Sequence, residues 1–454
     1  MRLSRLSIAI LCLFISTHAA LSQTTPIAIT GTLVTPQEIV SNGTVLIQNG
    51  KILATGAQVQ LPPGTSTVRT DGIIAPGLID LHNHLTWNVF PRWKPNQEFG
   101  NRYDWQQKPV YNMLMNEPHY EIVGEGLECA MERYAEVKAI SEGETSVVGG
   151  MYSACDQGLA RNLDYDAELG SGLGEIIYNI FPLTMSESDV AQAVAALNAK
   201  PRGSLLIHIA EGSPRDASAA REFSELEGRG LLKPGVSIIH GVALTPQNFA
   251  SMAKAGVGFI WSPRSNIELY GDTANVAAAK AAQLLMALAP DWSPTGSDGL
   301  LGELNYAAVW SQSQFPPPLT DRDLVMMATS NAASLVALQD YIGSLAANHT
   351  ADLIVIRDTG KAYSKDAYWS LTHATPEDVE LVMIGGVATY GDTQLMRQLS
   401  ASSPETLKVC GFEKAISFAT EKQKQPGFAE TESTLDQALR QMGRNLAPLS
   451  ECGN

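Results

Sequence analysis

An alternation of apolar segments with helix-like segments through the middle of the chain constrains the fold most. Seven short segments are strand candidates: 77–84, 145–152, 175–183, 204–211, 236–244 and 256–263, which are rich in apolar residues, and the polar segment 294–299. Helical periodicity falls between them: 120–143, 186–199, 216–230, 245–256 and 273–289. Apolar strands that alternate with helices predict a parallel sheet covered by helices on its faces.

The number of strands favours a closed barrel. Seven strands over roughly 230 residues fit a (β/α)₈ barrel in which one strand escapes detection. The alternative is a doubly wound open sheet, which usually carries a glycine-rich nucleotide loop after its first strand. The chain offers only weak counterparts of that loop, at 170–174 and 256–258. We therefore predict an α/β protein with a TIM-like barrel.

The two ends of the chain predict a second, smaller domain. Residues 25–72, 344–358 and 378–392 contain short β-like runs separated by Gly, Pro and Asn turns. Together they predict a small β-sandwich built from both chain ends. The predicted organisation is listed in chain order: signal peptide 1–22, sandwich 23–75, barrel 76–343, sandwich 344–399 and a helical appendage 400–454.

The first residues have the layout of a secretory signal peptide. Arg2 and Arg5 precede an apolar run over 6–16, and small residues follow at 19–22. A membrane anchor is the alternative, but about eleven apolar residues are too few to cross a bilayer. We therefore expect an exported protein, periplasmic or secreted, with no membrane span.

Charge and cysteine content narrow the partners and the compartment. The formal net charge of −16 argues against nucleic acid as a partner. The expected partner is a small-molecule substrate, and homo-oligomer formation is left open. Free thiols are the simpler expectation for the cysteines; a disulfide between Cys410 and Cys452, which bracket the C-terminal tail, is the alternative in an exported protein.

The segment Pro76–His84, PGLIDLHNH, carries the strongest chemical signal. Side chains alternate along a strand, so His82 and His84 share one face and can bind a single metal ion. An ordinary hydrogen-bonded pair explains the same spacing. Further ligands downstream would decide between the two.

Three further polar residues end later predicted strands. His208 lies in LLIHIAEG, His240 in SIIHGVAL and Asp298 in PTGSDGL. Each has an ordinary explanation alone, as a satisfied core histidine or a helix N-cap. However, parallel barrel strands end at one rim, where such residues would converge with the first histidine pair.

These motifs together resemble the amidohydrolase superfamily, in the branch of cytosine and guanine deaminases, S-adenosylhomocysteine-type deaminases and triazine chlorohydrolases. The matching motifs are PGLIDLHNH, HIAE, HGVAL, SPRSNIEL, GSDG and IGSLAANHTADLIVI, within residues 26–392. The resemblance implies a mononuclear site for one divalent metal, with Zn²⁺ favoured and Fe²⁺ or Mn²⁺ as alternatives. The ligands it implies are His82, His84, His208 and Asp298.

The same resemblance implies roles for the catalytic groups. Glu211 would move a proton to the leaving nitrogen, and His240 would hold the attacking water or the substrate. Asp298 would accept the proton of a water activated by the metal. Binuclear relatives carry a carboxylated lysine, but the candidate strands between 145 and 183 contain no lysine. Glu175 is the alternative bridging carboxylate.

The expected function is hydrolysis of a carbon–nitrogen bond other than a peptide bond, by deaminase-type attack on a heterocycle or cyclic amide. Hydrolysis of an ester, lactone or peptide-like amide is the alternative, and a catalytically inactive exported binding protein is a third. Substrate recognition is expected from the aromatic segment 87–112, which begins with Trp87, and from Arg264 and Asn266 in SPRSN.

Overall fold

The computed structural model describes residues 25–165, 169–170, 172–179, 184–400 and 403–452. The predicted signal peptide 1–22 lies outside the described residues. Within the described part of the chain, none of the helices combines the length and hydropathy that a bilayer crossing needs.

A nine-stranded sheet joins the two ends of the chain. Its strands are β1 Ile27–Val34, β2 Ile39–Gln48, β3 Lys51–Gly56, β4 Ser66–Pro76, β13 Leu353–Ile356, β14 Val379–Ile384, β15 Val387–Asp392, β16 Glu405–Val409 and β17 Phe412–Ile416. Their order is β16-β17-β15-β14-β13-β4-β1-β2-β3. β1 pairs parallel with β4, and β4 pairs antiparallel with β13. The prediction that both ends share one β unit is thus supported by hydrogen bonding.

Eight further strands in the described residues all pair in parallel. They are β5 Leu78–Ile79, β6 Glu144–Val147, β7 Arg161–Asn162, β8 Ile176–Asn179, β9 Ser204–Ile209, β10 Val236–His240, β11 Gly258–Trp261 and β12 Met286–Leu288. They form a three-stranded sheet, β5-β6-β7, and a five-stranded sheet, β12-β11-β10-β9-β8. An isolated parallel bridge between Asn83 and Asp291 links the ends of β5 and β12.

Helices connect and cover these strands. Their bounds are α1 Arg102–Gln106, α2 Pro109–Tyr111, α3 Glu117–Gly124, α4 Glu128–Ser141, α5 Glu187–Asn198, α6 Ala217–Gly228, α7 Pro246–Ala255, α8 Pro263–Tyr270, α9 Val276–Ala281, α10 Leu300–Ser313, α11 Asp321–Met327, α12 Ser330–Leu335, α13 Ala367–Thr372, α14 Thr393–Leu399 and α15 Phe428–Gln441. A π-helical turn spans Asn112–Asn116.

Helix α7 shows how local sequence sets these bounds. The side chain of Thr245 accepts a hydrogen bond from the backbone N–H of Asn248. In turn, the backbone N–H of Thr245 donates to Oδ1 of Asn248, which completes a capping box. Pro246 occupies the first turn of the helix, where its missing backbone N–H would have no acceptor within the helix. Gly256 ends the helix in the left-handed conformation, with φ of 70°.

The structure corrects the strand prediction at three places. β7 was not predicted, because two residues give no periodic signal. The predicted helix 273–289 ends at Ala281 in α9, and its last apolar residues form β12 instead. The predicted strand 294–299 is a turn before α10. Consequently the last parallel strand ends at Leu288, upstream of its predicted position.

The C-terminal region also differs from the prediction. Residues 400–454 were predicted as a helical appendage, but β16 and β17 extend the nine-stranded sheet before α15 begins. The sequence left the pairing of Cys410 and Cys452 open, and the structure joins them in a disulfide; a second disulfide joins Cys129 to Cys155. Cys452 is thereby linked to the turn between β16 and β17, and β17 pairs with β15 of the nine-stranded sheet.

Candidate metal centre and active-site cavity

Four histidines meet at the carboxyl ends of the parallel strands. His82 and His84 follow β5, His208 lies near the end of β9, and His240 is the last residue of β10. The Nε2 atoms of His82 and His208 are 3.1 Å apart. The rings of His82 and His240 have centroids 4.7 Å apart. The structure thus brings together all four histidines that the sequence motifs singled out.

Asp291 supplies the carboxylate of this cluster. Its Oδ1 lies 3.2 Å from Nε2 of His82 and 3.2 Å from Nε2 of His84. Ligand atoms of His82, His84 and Asp291 lie within 4.8 Å of one another, as do those of His82, His208 and His240. Burial opposes ionisation of Asp291, but the neighbouring histidines hold its pKa well below its usual range.

Asp298 is not part of the cluster, which corrects the prediction that it completes the ligand set and accepts the water proton. Its Oδ1 lies 2.6 Å from Nζ of Lys138, in a pair whose side chains are 1% and 7% exposed. The reason is the register of the last strand. Because β12 ends at Leu288, Asp291 reaches the rim, whereas Asp298 lies seven residues further along, before α10.

Hydrogen bonds to Nδ1 orient the imidazoles of His208 and His82. Nδ1 of His208 faces the carbonyl oxygen of Asn179 at 3.4 Å, which requires Nδ1 to donate. Nδ1 of His82 lies 2.7 Å from Oγ of Ser262. Burial lowers the pKa of His82 to about 3 and that of His208 well below its usual value. Neutral imidazoles held in this way direct Nε2 lone pairs into the cluster, as metal ligation requires.

Backbone strain marks the same rim. Ala210, His240 and Asp291 adopt positive φ values of 56°, 67° and 72°. For residues other than glycine, such conformations cost of order 1–3 kcal/mol each and persist only where the surrounding structure enforces them. Each follows or ends a parallel strand, so the strain turns the chain where Glu211 and the cluster are presented.

Glu211 stands beside the cluster and is 4% exposed. Its Oε1 accepts a hydrogen bond from the hydroxyl of Tyr270 at 2.7 Å. Its Oε2 lies 3.4 Å from Nη1 of Arg102 and 3.6 Å from Nε2 of His240. The sequence motif identified Glu211, whereas Arg102 and Tyr270 were missed because neither lies at a predicted strand end.

The residues predicted to contact substrate have different positions. Trp87 lines the cavity described below and stacks on His119, with ring centroids 4.0 Å apart. Asn266 does not line the cavity. Its Oδ1 lies 2.8 Å from Nδ1 of His240 and so orients that ring. Arg264 also lies outside the lining, with Nη2 2.7 Å from Oε2 of Glu451. These two predictions are corrected because α8 turns both side chains away from the opening.

A cavity of about 670 Å³ opens onto the cluster. Its walls are rich in aromatic residues: Trp87, Trp105, Tyr111, Tyr120, Tyr165, Tyr178 and Trp292. The aromatic segment 87–112, predicted to form part of the pocket, contributes three of these: Trp87, Trp105 and Tyr111. Flat aromatic walls of this kind suit a planar ring.

The mouth of the cavity is acidic. Asp164, Glu175 and Asp189 line it, and the segment 162–199 contains no Lys, Arg or His. Oε1 of Glu175 accepts a hydrogen bond from Gln192. Glu175 is not among the groups whose ligand atoms meet at the histidines in the described residues, so a bridging role for it finds no support there.

Comparison with known proteins agrees with these motifs. Residues 176–389 match the amidohydrolase family. The chain is 25% identical over 352 residues to a 5-methylthioadenosine/S-adenosylhomocysteine deaminase of Desulforudis audaxviator, covering 69% of this chain and 81% of the relative. It is 23% identical to a 5'-deoxyadenosine deaminase of Methanobrevibacter smithii, covering 70% and 80%.

Solved structures share the fold. An adenosine deaminase from Xanthomonas campestris with bound zinc superimposes with a TM-score of 0.71 at 16% identity, covering 93% of this chain and 99% of that one. Guanine deaminase of E. coli gives 0.65 at 18% identity, covering 81% and 99%. An atrazine chlorohydrolase from Arthrobacter aurescens with zinc gives 0.61 at 18% identity, covering 80% and 94%. The predicted resemblance to the amidohydrolase family is confirmed by the family match over residues 176–389.

Proposed function

Because the chain carries an amidohydrolase-family domain, we propose that it is a metal-dependent hydrolase of carbon–nitrogen bonds that deaminates an aminated heterocycle. In the reaction, water replaces the exocyclic amino group, which leaves as ammonia. One observation carries the proposal: His82, His84, His208 and Asp291 converge beside Glu211 at the base of an aromatic cavity. The names of the deaminase relatives support a purine-like ring as substrate.

The donor set matches a single divalent metal ion. Three imidazoles and one carboxylate suit Zn²⁺ and leave positions open, although Fe²⁺ and Mn²⁺ also accept such ligands. His82, His84, His208 and Asp291 would hold the ion, since ligand atoms of His82, His84 and Asp291 lie within 4.8 Å of one another and Nε2 of His208 lies 3.1 Å from that of His82. When bound, the ion would supply a water of lowered pKa. Zinc in two solved structures of the same fold supports this choice.

The chain's own groups would handle the protons. Glu211 can take a proton from the attacking water and give it to the departing nitrogen, because it lies at the cavity beside His240. Positioned proton transfer of this kind contributes typically about 10²–10⁴-fold. His240, oriented by Asn266, would direct Nε2 to the oxygen that joins the ring. The walls formed by Trp87, Trp105 and Trp292 would hold the ring and exclude water.

We further propose that the parallel strands form a closed (β/α)₈ barrel and that the nine-stranded sheet folds as a sandwich. Eight parallel strands in chain order support the barrel, as does the bridge between Asn83 and Asp291 that links the first strand to the last. A separate apolar cluster, which includes Ile29, Val45 and Leu353, supports an independent core for the sheet.

Export to the periplasm or outside the cell is also a proposal. Two disulfides support an oxidising compartment, because cytosolic proteins rarely keep them. The acidic charge supports a small molecule, rather than nucleic acid, as the partner.

Metal content and ammonia release together test the function. The purified protein should hold about one Zn²⁺ per chain by plasma mass spectrometry and release ammonia from adenosine or a related aminopurine nucleoside. His208→Ala should lose metal and activity together. Glu211→Gln should keep the metal and lose turnover. Two metals per chain together with cleavage of esters, lactones or peptide-like amides would favour the alternative function. Protein that binds no metal when supplied with Zn²⁺ would refute the proposal.

A further inference from the structure

Arg102 is a fully buried cation in the cavity wall that the proposed reaction does not use directly. It is 1% exposed and begins α1, in the aromatic segment that follows the first strand. Nη1 lies 3.4 Å from Oε2 of Glu211, and Nη2 lies 2.9 Å from Oε1 of Glu222. We propose that Arg102 is a positioning residue that holds Glu211 in the orientation for proton delivery to the leaving group. This inference rests on the proposed deamination.

Both oxygens of Glu211 are held, and by different elements. Tyr270, at the end of α8, donates to Oε1, while Arg102 contacts Oε2. A carboxylate held on both oxygens cannot rotate freely about its terminal bond. Its Oε2 stays directed toward His240, where the proposed reaction takes place. Misplacement of a reacting group by about 1 Å costs on the order of 10²-fold in rate, so such fixation is of direct consequence.

Arg102 is itself anchored independently of Glu211. Its second partner, Glu222 on α6, accepts a backbone hydrogen bond from Ala210 at 2.7 Å. Nη2 also donates to the hydroxyl of Tyr103 at 2.9 Å. The guanidinium is planar and presents its donors as a rigid fork, so the contacts of Nη2 also fix the position of Nη1, which faces Glu211. The anchor therefore persists while Glu211 exchanges its proton.

The same segment connects the substrate wall to the proton-transfer group. Backbone N–H of Arg102 donates to the carbonyl of Glu211, and Asn101 forms an isolated bridge with Gly212. Three residues further on, Nε1 of Trp105 donates to the Tyr270 hydroxyl that holds Glu211. A ring packed on Trp105 is thereby placed in a defined relation to the Glu211 carboxylate.

The test compares leaving groups that need a proton with one that does not. Loss of ammonia from adenosine requires protonation of the nitrogen, whereas chloride leaves 6-chloropurine riboside without it. In Arg102→Lys, the charge remains but the fork is lost. We expect kcat for adenosine to fall about 10–100-fold with KM within about threefold. Both substrates need Glu211 to take a proton from water, but only adenosine needs a proton delivered to its leaving group. The ratio of adenosine to 6-chloropurine riboside turnover should therefore fall, and metal content should stay unchanged.

Matched variants separate positioning from folding. Arg133→Lys alters another buried arginine ion pair, with Glu421, outside the cavity. It should lower the melting temperature and leave both kcat and the substrate ratio unchanged. Tyr270→Phe removes the contact to the other oxygen of Glu211 and should shift the ratio in the same direction as Arg102→Lys. If Arg102→Lys does not fold, Tyr270→Phe takes its place in the test.

The outcomes are distinguishable. A wild-type protein that deaminates no aminopurine would refute the proposed function itself. An active wild type whose kcat for adenosine is unchanged in Arg102→Lys and Tyr270→Phe would overturn the positioning role alone. A rise in KM without a fall in kcat would overturn it as well, since it would assign Arg102 to substrate binding. If the wild type does not accept the chloro compound, the division of the effect between kcat and KM decides.

Discussion

Two aspartates seven residues apart should respond to the same substitution in opposite ways. Asp291 faces His82 and His84, whereas Asp298 faces Lys138. Replacing each with Asn preserves the side-chain shape and removes one negative charge. We expect Asp291→Asn to lose metal and activity with a folded chain, and Asp298→Asn to keep its metal and lose stability.

The expected destabilisation follows from the surroundings of the ion pair. Removing one partner of a buried pair costs typically about 3–5 kcal/mol. Nζ of Lys138 keeps one other acceptor, the carbonyl of Pro448 at 3.0 Å. Loss of the Asp298 charge also relieves its repulsion of Glu142, whose pKa is raised to about 7 by burial and by that charge. Because of these two compensations, we expect a destabilisation at the lower end of that range, about 3 kcal/mol.

That free energy converts to a measurable melting shift. An unfolding entropy of about 2.1 cal/mol/K per residue gives roughly 0.9 kcal/mol/K for a chain of this size. Asp298→Asn should therefore melt about 3 °C below the wild type in calorimetry of the zinc-loaded protein. For Asp291→Asn, the affinity for Zn²⁺ should fall by more than the roughly 10–100-fold seen when a partner of a metal ligand is lost.

Titration with a competing chelator measures the metal affinity of each variant, and the melting scan measures its stability. If Asp298→Asn lost its metal while Asp291→Asn kept it, the assignment from the register of β12 would be wrong. Equal metal loss in both variants would also contradict it.

Three further predictions address stability and selectivity. Burial raises the pKa of Glu132 to about 7, so its contribution to stability is present below pH ~4.5 and lost as pH rises through 7. In urea titrations, Glu132→Gln should raise the free energy of unfolding at pH 8, by up to about 3 kcal/mol, and not at pH 4. A gain equal at both pH values would contradict this cause. Replacing Cys410 and Cys452 with Ser removes a disulfide that closes a loop of 42 residues, and the free energy of unfolding should fall by about 4 kcal/mol. Unchanged stability would show that the other contacts of this region are sufficient to hold it. Because segment 162–199 carries only negative charge at the cavity mouth, kcat/KM for adenosine should exceed that for adenosine 5'-monophosphate at least about tenfold, and the difference should narrow at high salt. Equal values at low salt would refute the charge argument.

Much of the site could be predicted because its residues lie in strands with clear local signals. His82, His84, His208 and His240 each end an apolar run, and parallel strands end at one rim whatever the details of packing. Their convergence therefore needed only the identification of strands and of their common direction.

The sequence did not decide which aspartate supplies the carboxylate of the cluster. Both Asp291 and Asp298 follow apolar or turn residues near the same predicted boundary. The choice depended on whether 286–288 continues a helix or forms a strand, and three residues give too little periodicity to decide. Pro290, directly after the apolar run, was the one local signal against a continuing helix. Pairing with β11 settles the matter, because the hydrogen bonds of a strand come from its neighbour.

The sequence alone determined the alternation of strands and helices, the family resemblance and the histidine positions, because each depends on short-range periodicity and residue type. Tertiary structure decided the contacts that join distant segments. The link from Arg102 to Glu211 spans 109 residues, and that from Lys138 to Asp298 joins α4 to the turn before α10. No local pattern encodes which carboxylate a buried cation meets. That choice is made only when the elements pack and each buried charge must find a partner.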